Sequence, residues 1–176
     1  MVTLLYLRIQ AQENISDEHK AIFKENEMGL DMYLSAEKYH FGALDEEPTE
    51  ITKAVNQVTD TKGYQVKATS IWAADWRKAN QIHNWFVQNV QEGEDDCKKY
   101  DVSIDQLRDL VELCKKVLAH RDQAEELLPT QAGFFFGNTD IDDYYFEDLM
   151  DTIEKLEPFT TDPSWESWDF SYQSSW

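Results

Sequence analysis

Basic residues are scarce in this chain. Sixteen Lys and Arg stand against 35 Asp and Glu in 176 residues, a formal charge of −19. A field of that sign repels phosphate backbones and anionic lipid, so direct binding to nucleic acid or to a membrane surface is not expected. It favours basic partners instead, including proteins that themselves handle DNA or RNA. The more common account of such a charge is a soluble protein with solvated acidic faces. Cysteine is scarce too: Cys97 and Cys114 stand far apart with no motif around them. A disulfide framework is therefore excluded, and a reducing cytosol is the expected setting. No apolar run approaches the length of a membrane span. Residues 1–9 are too short for a secretory signal and lack its flanks.

The familiar signatures of catalysis are missing as well. The chain has no GxSxG, no GxGxxG and no phosphate-cradling GxxxxGK[ST]. Its four histidines, His19, His40, His83 and His120, show no paired metal-ligand spacing. Residues 140–151 imitate a calcium loop poorly, because Tyr145 stands where the turn glycine belongs and Asp151 where the bidentate glutamate belongs. No metal and no cofactor are expected.

What is present points to one folded domain. Hydrophobic residues make up 41% and aromatics 13% of the chain, too much for a disordered segment and enough for a core without staples. The acidity belongs to the body: residues 1–27 hold three Lys/Arg and five Asp/Glu, which leaves 13 against 30, or −17, in residues 28–176. Two readings of residues 1–27 stand. Lys24-Glu25 can be encoded by a ribosome-binding sequence just upstream of Met28, which makes Met28 a start and residues 1–27 an upstream-start extension. Alternatively, residues 2–7 form an ordinary first strand. Residues 28–176 are read as a single domain under either view.

Periodicity places the elements. Leu30, Met32, Leu34 and Ala36 alternate with polar neighbours as a half-buried strand. Residues 44–63 read as a loop or weak helix. Residues 64–72 alternate as a second strand, and Trp76, Ala79, Ile82, Phe86 and Val90 predict a helix over 75–91. Ser103 and Gln106 form a capping box, which opens a helix whose buried stripe runs through Ile104, Leu107, Val111, Cys114 and Leu118. Phe134, Phe135 and Phe136 between glycines read as a short buried strand. Asp140, Asp142 and Asp143 sit at the N-terminus of a third helix, where the macrodipole favours carboxylates. That helix turns Phe146, Leu149, Met150, Ile153 and Leu156 inward and ends at Pro158 and Pro163. The alternation of Trp168, Phe170, Tyr172, Ser174 and Trp176 predicts a strand docked in the sheet. The expected class is α+β: a small, mostly antiparallel sheet covered on one face by about three helices.

The densest set of versatile side chains is residues 76–86. Asn80, His83 and Asn84 share one helical stripe, and Arg77 and Lys78 are adjacent cations in an acidic protein. A small-molecule site, for a nucleotide or for phosphoester cleavage, would use Arg77, Lys78, Asn80 and His83, with Trp85 or Tyr144 on its wall. The plainer account has His83 at the edge of the core and Trp85 packed. The acidic runs supply a second set of candidates for binding a partner: Asp45, Glu46 and Glu47; Glu94, Asp95 and Asp96; and Asp140, Asp142 and Asp143. Converged on one face, they would imitate phosphates.

Several separated motifs carry a resemblance: residues 28–34, MGLDMYL; 76–80, WRKAN, with 82–86, IHNWF; 127–131, LLPTQ, with 133–137, GFFFG; 144–149, YYFEDL; and 168–176, WDFSYQSSW. Together these resemble a family of small uncharacterised phage and prophage proteins that begin MGLDMYL, over almost everything from residue 28 onward. The resemblance implies a phage-encoded accessory protein at work in the cytoplasm of a bacterial host. It brings no catalytic residues with it. The expected function is that of an acidic effector, not an enzyme, which binds a host protein of basic character such as a defence or nucleic-acid-handling factor.

Overall fold

The computed structural model describes residues 29–40, 49–59 and 64–176. The strand read at residues 2–7, the start read at Met28 and the acidic run Asp45, Glu46 and Glu47 lie outside the described residues. Among those described, four strands and five α-helices follow in the order β1 (Asp31–Tyr39), α1 (Glu50–Val58), β2 (Ala68–Arg77), α2 (Asn80–Asn89), β3 (Tyr100–Val102), α3 (Ile104–Ala119), α4 (Ala124–Leu127), α5 (Asp143–Thr161) and β4 (Asp169–Ser175). The sheet order is β2-β1-β4-β3, and every pairing is antiparallel. This is an α+β fold.

The sheet has one dry face and one polar face, as antiparallel sheets commonly do. Met32, Leu34 and Ala36 on β1 are fully buried, and opposite them on β4 stand Ser174, Tyr172 and Phe170. Asp31, Tyr33, Ser35 and Glu37 alternate onto the other face. The helices α2, α3 and α5 close the dry face with Ile82 and Phe86, Leu107 and Leu110, and Leu149 and Leu156. Each side chain of this size removed from water stabilises the fold by about 1.5–3 kcal/mol. Phe86 stacks flat on Tyr172, with ring centroids 3.9 Å apart and planes 6° apart.

The capping box forms as its spacing predicts. Gln106 N donates to Ser103 Oγ at 3.1 Å, and Ser103 N donates back to Gln106 Oε1 at 2.8 Å. Residues 44–63 contain a helix, α1, opened by Thr49, whose Oγ1 accepts from Thr52 N at 3.2 Å.

Four expectations need correction. First, β2 runs from Ala68 to Arg77 and so takes the first residues assigned to the helix. Ala73 is an extra residue opposite β1, between the pairs Leu34–Ala74 and Ser35–Trp72. This bulge breaks the alternation: Trp76 faces the core as a strand residue and Trp72 turns outward. Second, residues 134–136 are a turn, not a strand. Gly133 lets the Phe136 ring fold back over it, since a Cβ there would meet Phe136 Cγ at 2.5 Å. Phe134 is left 94% exposed. Third, α5 passes through Pro158 and ends at Thr161. Fourth, Met150 is 48% exposed, and Thr152 takes an inward position instead. The Thr152 hydroxyl accepts from Trp76 Nε1 at 2.9 Å and donates to Asp148 O at 2.7 Å, which satisfies a polar group in the core.

Candidate functional site

Two members of the α2 stripe Asn80, His83 and Asn84, the two asparagines, hold the segment 128–138. Asn80 Nδ2 donates to Phe136 O at 3.1 Å and to Asn138 O at 2.7 Å, while Asn80 Oδ1 accepts from Gln131 N at 3.2 Å. Asn84 Nδ2 donates to Pro129 O at 3.1 Å. Asn80 is buried, so these bonds satisfy a polar side chain and fix a backbone that lacks regular structure of its own.

His83 is fully buried, and both of its ring nitrogens are engaged. Nε2 lies 3.1 Å from Asp95 Oδ1, and Nδ1 lies 2.7 Å from the Tyr172 hydroxyl. A carboxylate only accepts, so the ring proton sits on Nε2 and faces Asp95. Nδ1 is then bare and accepts from Tyr172. Burial lowers the His83 pKa, against the pull of Asp95, and raises that of Tyr172 well above its ordinary value. Both groups are held neutral. Asp95 gathers two more donors, Trp176 Nε1 at 3.2 Å and Gln131 Nε2 at 3.0 Å. The result is a chain of hydrogen bonds from β4 through α2 to the loops.

Arg77, Lys78 and Tyr144 come together elsewhere. They line a cavity of about 400 Å³ shared with Asp140, Asp142 and Asp148. Lys78 occupies the corner between β2 and α2 with φ at +61°, a left-handed backbone that non-glycine residues adopt seldom. Its N donates to Leu30 O and its O accepts from Asn80 N, each at 2.8 Å. Gly137 (φ +86°) makes room beside it, since a Cβ there would lie 3.2 Å from Lys78 Cβ. Arg77 Nη1 pairs with Asp31 Oδ1 at 2.8 Å. Burial pushes the Asp148 carboxyl pKa up, opposed by the hydrogen bond from Gln81 Nε2 at 2.9 Å.

The structure thus divides the residues proposed for a small-molecule site. Arg77, Lys78 and Tyr144 share the cavity; Asn80 braces the neighbouring loop; His83 belongs to the buried relay; and Trp85, 7% exposed, packs edge-on against Phe86. His83 is not in the cavity with Arg77. A larger cleft of about 730 Å³, bordered by Glu37, Asp101, Trp168 and Asp169, contains none of these residues.

The acidic candidates divide as well. Asp95 is an internal acceptor, and Asp96 pairs with Lys98 at 2.7 Å. Asp142 caps α5 by accepting from Tyr145 N at 3.2 Å, and Asp140 accepts from Asn138 Nδ2 at 2.9 Å. Glu94 and Asp143 are exposed. Asp95 and Asp140 therefore meet the same 128–138 segment, at Gln131 and at Asn138. From Asp143 the exposed side of α5 continues through Glu147, Met150 and Glu154 at helical spacing, with Tyr144 beside it, 76% exposed. Asp143, Glu147 and Glu154 have no ion-pair partner among the described residues.

Gln131, Phe134 and Trp176 were not among the candidate site residues. These line a cavity of about 290 Å³ together with Asp95, Phe135 and Phe136. The glycines around the phenylalanine triplet were the available signal, since they mark a turn as readily as a strand end. Among the described residues, no three His, Cys, Asp or Glu side chains converge to hold a metal ion, and no helix is long and apolar enough to cross a membrane. In comparisons with family models, curated proteins and solved structures, nothing matches this chain.

Proposed function

We propose that this protein is a non-enzymatic acidic docking protein that binds a basic protein through the exposed side of α5 and the adjoining 128–142 segment. The observation that carries this reading is the α5 surface itself. Asp143, Glu147 and Glu154 have no ion-pair partner there among the described residues, and Tyr144 and Met150 are exposed beside them. Unpaired carboxylates steer a cationic partner, and exposed apolar side chains supply the short-range contact. The resemblance to phage proteins makes a bacterial host protein the proposed partner, with defence and nucleic-acid-handling factors as the class most often basic enough. Carboxylates on one helix face then stand in for phosphates.

The reading as a nucleotide or phosphoester site has less support. His83 is buried with both nitrogens occupied, so it does not serve as the base for a substrate. The cavity that holds Arg77 and Lys78 sets three carboxylates, Asp140, Asp142 and Asp148, against those two cations. A phosphate would meet repulsion there.

The test is a pull-down of the tagged chain from host-cell lysate, beside a variant carrying Asp143→Asn, Glu147→Gln and Glu154→Gln. A stoichiometric basic protein captured at low salt, released at high salt by screening and lost from the variant supports the reading. Equal capture by the variant removes α5 as the docking face.

A further inference from the structure

We infer that the cavity beside Trp176 receives one guanidinium group, the side chain of an arginine presented by the basic partner. The inference rests on the reading above and names a contact that partner makes. The cavity, about 290 Å³, is walled by Phe134, Phe135, Phe136 and Trp176 and bordered by Asp95 and Gln131. That is at or below the lower end of drug-sized sites, roughly 300–1,000 Å³, and suits one side-chain head group.

The polar atoms select a ligand that donates. Gln131 Nε2 lies 3.0 Å from Asp95 Oδ2. Turning the amide over would set two acceptors against each other, so its NH2 must face Asp95. That orientation leaves Gln131 Oε1 as a buried acceptor with no donor among the described residues, an unfavourable state that a ligand N–H would relieve once the side chain turns Oε1 toward the cavity. Asp95 Oδ2 accepts from Gln131 alone among the described residues, and so has capacity for a second donor. The carboxylate also excludes an anion.

The walls select a flat cation. Ring faces carry negative charge density, and a cation within about 6 Å of a ring centroid is attracted to it. Phe134 stands 94% exposed and Trp176 45% exposed at the mouth. Among the described residues, no Lys or Arg lines the cavity. Guanidinium is planar, weakly hydrated and carries five N–H donors, so it stacks on a ring and donates to two acceptors at once. An ammonium group is a strongly hydrated point charge and satisfies these demands less well.

The test follows the Trp176 indole N–H and the amides of residues 131–136 by NMR in the full chain. A short Gly/Ser peptide with one central arginine is titrated against the same peptide carrying citrulline, the neutral isostere. The arginine peptide should shift these signals saturably, and the citrulline peptide should not. Phe134→Ala, which removes a solvated ring and leaves the core intact, should weaken the arginine peptide roughly fivefold, the scale of one cation–π contact. Equal shifts with citrulline, shifts confined to α5, or undiminished affinity in Phe134→Ala would each overturn the inference. A basic host protein still captured in full by Phe134→Ala would do the same while leaving the acidic docking reading in place.

Discussion

The Tyr172 hydroxyl donates to Nδ1 of His83 across 2.7 Å, and no surface of His83 reaches solvent. One residue comes from a strand and the other from a helix, and the bond ties the sheet to the layer that covers it. Asp95 on the other side of the imidazole extends the tie to the 91–97 loop, and Gln131 and Trp176 join it there.

Tyr172→Phe keeps the stacking on Phe86 and removes the donor. Nδ1 of His83 is then a buried acceptor without a partner. We expect a loss of about 1–3 kcal/mol, read as a lower urea midpoint with an unchanged denaturant slope. An unchanged midpoint would mean that water reaches the imidazole.

The lowered pKa of His83 has a pH consequence. An unfolded histidine takes up a proton as pH falls below its ordinary value of about 6.5, whereas the buried ring in the folded protein resists. The unfolded state therefore binds more protons in that window, and stability falls as pH drops from about 6.5. Above it, the contribution is fully present. Thermal unfolding between pH 7 and pH 5.5 should show a steeper decline for the wild type than for His83→Gln. Parallel declines would assign the slope to carboxylates alone.

Gly133→Ala places a methyl group where the Phe136 ring lies. The ring must leave its buried position, and the cavity beside Trp176 must change shape with it. We expect a loss of about 1–3 kcal/mol, as for overpacking elsewhere, together with a displaced Trp176 indole signal. A stability and a Trp176 shift both equal to wild type would show that the 133–136 turn adapts freely.

The thiols should separate cleanly. Burial pushes the Cys114 thiol up to about 12, and its side chain lies in the core against α5, whereas Cys97 is exposed. An alkylating reagent at pH 8 should label Cys97 within minutes and leave Cys114 untouched until the protein unfolds. Early labelling of Cys114 would reveal opening between α3 and α5.

Much of the fold was legible because its signals are local. The alternation from Leu30 to Ala36 and the capping box of Ser103 and Gln106 each involve neighbours in sequence. The β2–α2 boundary was not legible, because Trp76 fits two periods at once. It is in strand phase with Ala74 and in helical phase with Ala79 and His83, and the bulge at Ala73 hides the strand phase. β3 is three residues long and too short for any period. At the site, the shared stripe of Asn80, His83 and Asn84 could be read, but its purpose could not. Its partners Gln131, Phe136 and Tyr172 are brought to it by tertiary structure alone. Met150 was misplaced because Leu149 and Met150 both fit the apolar stripe of α5, and a polar residue, Thr152, takes an inward position with its hydroxyl satisfied by Trp76 and Asp148.

The sheet order β2-β1-β4-β3 also concentrates the long-range pairing of the sheet in one strand. β1 and β2 form an antiparallel pair separated by a modest stretch of chain, whereas β4 inserts between β1 and β3 from far along it. Until residues 169–175 arrive, β1 keeps an unpaired edge and Tyr100–Val102 has no strand beside it. His83 has its Tyr172 partner only when β4 is in place. Closing so long a loop before its contacts repay the entropy is slow. Strand edge, imidazole relay and aromatic cavity therefore all hang on one long-range strand, and a change that loosens β4 is expected to loosen all three together.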